Sequence, residues 1–166
     1  MKVGGRVTLD APPDAVFAAI CDPAALLEVI PGCQDLRRVS ADEYRGRIAL
    51  RLPAIVGSYE TAVRLVAADP ATGGELEGRI DGAAGSIAGH ATFRLAPADG
   101  GTLVEYEGAG VVSGPLARLD SRFLEGVAGS LIDEGLARLG RRLRATPAGG
   151  GGQPVGDGRT SAGAVR

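Results

Sequence analysis

The chain predicts an α+β fold in which one curved antiparallel sheet is closed by a long C-terminal helix, and three observations predict it. A strand pattern at the N-terminus runs straight into two short helix signals between Pro12 and Pro31. Six further strand patterns follow, separated only by short turn-rich breaks, as in a meander of hairpins. From Pro115 to about Arg144 the period turns helical, and that helix is the element able to cover the apolar face of a seven-stranded sheet. The resulting order is β-α-α-β6-α.

Each element has a local reason. Lys2 to Asp10 alternates, with Val3, Gly5, Val7 and Leu9 on one face and Lys2, Arg6, Thr8 and Asp10 on the other, which is a half-buried strand. Pro12 and Pro13 open a helix through Ile20, where a missing N–H does no harm. Asp22 is placed to cap a second short helix that starts at Pro23 and ends at Pro31-Gly32. The strands then fall near Gln34–Ser40, Glu43–Leu52, Val56–Ala68, Glu75–Gly82, Ser86–Pro97 and Thr102–Ser113. Breaks such as Pro53, Asp69-Pro70 and Asp99-Gly100-Gly101 separate them. Leu116, Leu119, Phe123, Val127, Leu131, Leu136, Leu139 and Leu143 mark the apolar stripe of the final helix.

With 166 residues, the chain suits one domain, expected over residues 1–145. Residues 146–166 form a Gly/Pro-rich tail whose composition cannot build a core and is expected to be disordered. A net charge of −2 gives no reason to expect a nucleic-acid partner. There is no signal-peptide pattern and no apolar run long enough to span a bilayer, so the expected location is cytoplasmic. Cys21 and Cys33 lack a CxxC partner, and His90 is the sole histidine, so neither a metal nor another cofactor is expected. The cysteines read as buried reduced thiols.

Four segments resemble a known family. They are Ala11-Pro-x-x-x-Val-Phe17, Asp22-Pro-x-x-Leu26 running to Ile30-Pro-Gly-Cys33, Gly82 to Gly89, and Thr102-Leu-Val-x-Tyr106 with Leu119-x-Ser-Arg-Phe-Leu124. Together they are similar to the carbon monoxide dehydrogenase CoxG-like family within the START-like, or SRPBCC, helix-grip superfamily. The resemblance implies a helix-grip fold with a deep pocket between sheet and long helix for hydrophobic ligands. It also implies an accessory, non-catalytic role beside a molybdenum hydroxylase of the carbon monoxide dehydrogenase type.

Read on their own, the inward strand faces mix glycines with aliphatic residues on nearly every strand. Since interiors pack to crystal-like density, such small residues call for one of three things. The helix approaches closely, the sheet curves at the glycines, or a cavity remains, with Gly78 and Gly89 as positions where a large side chain would fill it. The expected cavity wall is Val7, Ile48, Leu50, Tyr59, Ile80, Phe93 and Tyr106, roofed by Phe123, Val127 and Leu131. The hydroxyls of Tyr44, Tyr59 and Tyr106 suit hydrogen bonding to a ligand carbonyl better than proton abstraction, given a tyrosine pKa of about 10. His90, Glu105 and Glu107 fall on the outward face, so no inward acid–base pair can be built and no catalytic residue is expected.

Two basic features remain. Arg45, Arg47 and Arg51 share an outward strand face and read as a solvated edge. Arg138, Arg141, Arg142 and Arg144 crowd the end of the long helix, where the helix dipole favours cations; contact with an anionic membrane surface is the functional alternative. The leading expectation is therefore a cytoplasmic accessory protein, peripheral at the inner face of the plasma membrane, that binds a lipid-like molecule such as a respiratory quinone. Its expected partner is a molybdenum hydroxylase. Membrane recruitment or assembly of that enzyme, and a polyketide-type aromatase or cyclase, are the alternatives.

Overall fold

The computed structural model describes residues 1–145; the tail expected at 146–166 lies outside the described residues. The chain runs β1 (Lys2–Leu9), α1 (Pro13–Ile20), α2 (Pro23–Val29), β2 (Cys33–Arg38), β3 (Glu43–Leu52), β4 (Ile55–Asp69), β5 (Gly73–Gly82), β6 (Gly85–Ala98) and β7 (Gly101–Ser113). A 3-10 turn (Gly114–Arg118) and α3 (Ser121–Ala145) follow. All strand pairs are antiparallel, in the order β1-β7-β6-β5-β4-β3-β2, so the N-terminal strand closes the meander on the β7 side. This is the helix-grip arrangement the order of elements predicts.

Local chemistry explains the turns that set the site. The Asp22 carboxylate accepts from the Ala24 N–H at 3.0 Å and caps α2, while Pro23 occupies its first turn. After α2, Gly32 takes a φ of +77° and lies against the Ala49 carbonyl of β3, where any Cβ would collide. The Ala49 N–H donates to the Gly32 carbonyl at 2.9 Å, so the Pro31-Gly32 turn is strapped to the middle of β3.

The final helix differs from its sequence pattern. Leu116 and Leu119 belong to the 3-10 turn and its end, and α3 starts afresh after Asp120. The Asp120 carboxylate accepts from the N–H groups of Arg122 (2.8 Å) and Phe123 (3.2 Å), a new N-cap that interrupts the helix. The interruption resets the helical phase. Leu124 turns inward and is 5% exposed, whereas Phe123 turns out and is 39% exposed.

The sheet has a packed half and a hollow half. Leu9, Val16, Val29, Phe93, Leu95, Val104 and Leu139 form a continuous core between β1, β6, β7, the two short helices and the end of α3. Phe17 of α1 meets Phe93 with ring centroids 6.2 Å apart, and Thr102 donates to the Ala11 carbonyl at 2.6 Å. A second cluster, Ile55, Tyr59, Leu116 and Leu124, ties the β3–β4 hairpin to the start of α3. Between the two clusters, β3, β4 and β5 face α2 and α3 across open space.

Candidate ligand-binding hollow

The open space has two lobes with shared walls. The larger, about 310 Å³, lies between α3 (Leu131, Ile132, Leu136) and the strands (Ile48, Leu50, Ile80). The smaller, about 230 Å³, continues towards β2 past Leu36, Val63 and Leu76. Ile20, Leu26, Ile30 and Ile48 line both, so the lobes are neighbouring parts of one apolar region. Volumes of this size lie near the lower end of the roughly 300–1,000 Å³ usual for small-molecule sites. Gly135 thins the helix wall, with the Val29 carbonyl and Pro31 across the gap.

The structure brings half of the expected wall together. Ile48, Leu50, Tyr59, Ile80 and Leu131 line the larger lobe. Val7, Phe93 and Tyr106 do not; they pack in or against the solid core, because α1 and the end of α3 cover that half of the sheet. Val127 packs in the second cluster beside Leu124, and Phe123 is exposed because of the reset phase. The residues that the strand alternation missed come from helices: Ile20, Leu26, Ile30 and Leu136. Their signal is the apolar i, i+4 spacing of Leu26 with Ile30 and of Ile132 with Leu136.

The inward glycines do not open the hollow. At Gly5, Gly74 and Gly82, an aromatic ring from the adjacent strand, Tyr106, Phe93 and Tyr59 respectively, occupies the place of the missing side chain. At Gly89 a Cβ would strike the Ala109 backbone, and neither Gly78 nor Gly89 lines a lobe. The space exists because α3 stands off β3–β5.

Polar groups near the lobes fall into two kinds. Tyr44, 5% exposed, donates to the Cys21 carbonyl and accepts from Arg38, both at 2.7 Å, locking β3 to the end of α1. Tyr106 donates to Asp133 of α3 at 3.3 Å; burial first, and then the neighbouring carboxylate, push its pKa up. Tyr59 and Thr61, by contrast, have buried hydroxyls with no hydrogen-bond partner. Cys21 and Cys33 are free, half-buried and both on the smaller lobe, with pKa values raised chiefly by burial, so they stand as thiols. No carboxylate, imidazole or lysine lines either lobe among the described residues. His90 is exposed on the opposite face of the sheet, as are Glu105 and Glu107.

Residues 5–143 match the family model for the carbon monoxide dehydrogenase CoxG protein. The chain belongs to the CoxG family. Solved structures share its fold at low identity. A conserved protein from Geobacillus kaustophilus aligns with a TM-score of 0.83 at 23% identity, covering 87% of this chain and 96% of that one. A START superfamily protein from Mycobacterium smegmatis aligns with a TM-score of 0.66 at 14% identity, covering 87% and 97%. A protein from Thermus thermophilus gives 0.65 at 16%, covering 87% and 98%. No curated protein matches.

In this CoxG-family chain the arginines at the end of α3 are largely neutralised. Arg138 pairs with Glu134 at 2.5 Å, Arg142 with Glu28 of α2, and Arg144 with Asp10 at 3.5 Å. The sequence pattern missed these pairs because two of the acids come from other elements. Arg45 and Arg47 pair with Glu43 and Glu60 on the outer sheet face. No helix among the described residues is long and apolar enough to cross a membrane.

Proposed function

We infer that this CoxG-family protein is a non-catalytic carrier that holds a hydrophobic, lipid-like molecule in the hollow between α2, α3 and β3–β5. It serves a carbon monoxide dehydrogenase-type molybdenum hydroxylase. The observation that carries the reading is the two-lobed space walled by Ile20, Leu26, Ile30, Ile48, Leu50 and Leu131, which has no hydrophobic occupant from the chain itself. Burying apolar surface there is favourable at roughly 25 cal/mol per Å². An elongated hydrocarbon chain has the chemistry to exploit such a wall, and water does not. Membership of the CoxG family supports the enzyme partner. Electrons from such an enzyme need an acceptor, and an isoprenoid quinone is both a redox carrier and a molecule confined to the bilayer, which makes it the ligand of choice.

The experiment is extraction. Protein purified from native membranes and treated with organic solvent is expected to release a quinone or another lipid detectable by mass spectrometry, and the molybdenum hydroxylase is expected to co-purify. Repeated preparations that carry no lipid would rule the reading out.

A further inference from the structure

Tyr59 is 2% exposed, lines the larger lobe, and has a hydroxyl without any hydrogen-bond partner. Two positions along the same strand, and therefore on the same face, Thr61 lines the smaller lobe with its Oγ1 buried and equally unpartnered. These are the two unpartnered buried side-chain oxygens among the described residues. Buried polar atoms are hydrogen-bonded in the great majority of cases, and an unmet one disfavours the folded state. Two adjacent ones on the wall of an apolar hollow call for a partner that the chain itself does not supply.

We propose that the Tyr59 and Thr61 hydroxyls are the hydrogen-bonding partners of the ligand, so that the hollow selects an apolar molecule bearing carbonyl or hydroxyl oxygens over a bare hydrocarbon of similar shape. The inference rests on the carrier reading above. Tyr44 and Tyr106 do not take this role, because the first is held by Cys21 and Arg38 and the second by Asp133. Tyr59 is pre-positioned: its ring is seated over Gly82, which leaves it little freedom to reorient. Thr61 is adjustable, since a turn of ~120° about its Cα–Cβ bond exchanges hydroxyl and methyl without moving the backbone. Both oxygens are closed off from solvent, so water does not compete for them.

The test uses Tyr59→Phe and Thr61→Val with two probes, decylubiquinone and decylbenzene, which carries the same length of tail on a ring without oxygens. Titration calorimetry on the full chain is expected to show decylubiquinone binding weakened about tenfold in each variant, with decylbenzene binding unchanged. Thr61→Ser, which keeps the hydroxyl, is expected to retain decylubiquinone affinity. Thermal unfolding of the ligand-free variants verifies that the fold is kept. Equal binding of decylubiquinone by wild type and both variants overturns the inference and leaves the carrier reading standing. Binding of neither probe by the wild type overturns both.

Discussion

The ring of Tyr59 stands in for the side chain that Gly82 lacks. A Cβ at position 82 would lie 2.7 Å from Cδ1 and 2.8 Å from Cε1 of that ring, with the Ser58 carbonyl oxygen at 3.0 Å. The glycine is what lets a buried tyrosine lie down on the sheet below the hollow. Gly82→Ala therefore displaces the ring and is expected to destabilise the protein by about 1–3 kcal/mol. Gly78 is the control: there a Cβ meets Ala62 and Val63 at 3.7 Å, an ordinary contact. Gly78→Ala is expected to be neutral or to stabilise by about 0.4–1 kcal/mol through the unfolded chain. Urea unfolding separates the two, and equal losses would contradict the account of the glycines.

The same rings show how far the sequence could be read. Strand boundaries were legible because period-two alternation and Gly/Pro breaks are local signals, and Asp22-Pro23 marked α2 directly. Alternation also says that Phe93 and Tyr106 face inward, but which half of the sheet the helices fill is decided by tertiary packing. That is why these two residues belong to the core and Ile20, Leu26 and Ile30 to the hollow. The break before α3 was hidden because Leu116, Leu119 and Phe123 happen to keep helical spacing across it. The available signal was Asp120, a capping residue set in the middle of the stripe.

Two tyrosine-to-phenylalanine substitutions are expected to differ in their effect on the empty protein. Tyr44→Phe removes a hydrogen bond to the Cys21 carbonyl and one from Arg38, and should cost about 1–2 kcal/mol. Tyr59→Phe removes no bond and keeps the ring over Gly82, so stability should hold or rise. Thermal unfolding without ligand checks this; a sharp loss in Tyr59→Phe would mean that its hydroxyl has a partner after all.

Alkaline pH should weaken the fold. Burial raises the pKa of Cys21 and Cys33, and burial together with Asp133 raises that of Tyr106. The unfolded chain then releases these protons at a lower pH than the folded one does. The stabilisation is fully present below the ordinary thiol value of about 9 and is lost as pH climbs through the raised folded values. The unfolding midpoint is expected to fall from about pH 9 upwards, and less so in the Cys21→Ala, Cys33→Ala double variant. A flat profile across that range would contradict the burial of the thiols.

Neutralisation of the α3 arginines bears on membrane contact. With Arg138, Arg142 and Arg144 paired to Glu134, Glu28 and Asp10, replacing all three by glutamine removes little net attraction for an anionic surface. Co-sedimentation with phosphatidylglycerol-containing vesicles is expected to change less than twofold. Loss of vesicle binding in that triple variant would instead place the membrane contact at this end of α3.

Gly135 offers the most direct control of the hollow. It lines the larger lobe, and a Cβ there would meet the Val29 carbonyl at 3.6 Å and Pro31 at 3.8 Å, so a methyl group fits. Its helical position makes Gly135→Ala favourable by up to about 1 kcal/mol through helix propensity. Gly135→Leu projects a further three carbons towards Leu131, Ile48 and Leu50, into space that a ligand would otherwise occupy. The expected outcome is a ligand-free protein at least as stable as wild type that no longer retains lipid on purification. The discriminating measurement is paired: unfolding of the empty variant, and mass spectrometry of what it carries from native membranes. A stable Gly135→Leu protein with its full complement of lipid would place the binding site elsewhere, whereas an unstable one would mean that α3 already packs tightly on β3–β5.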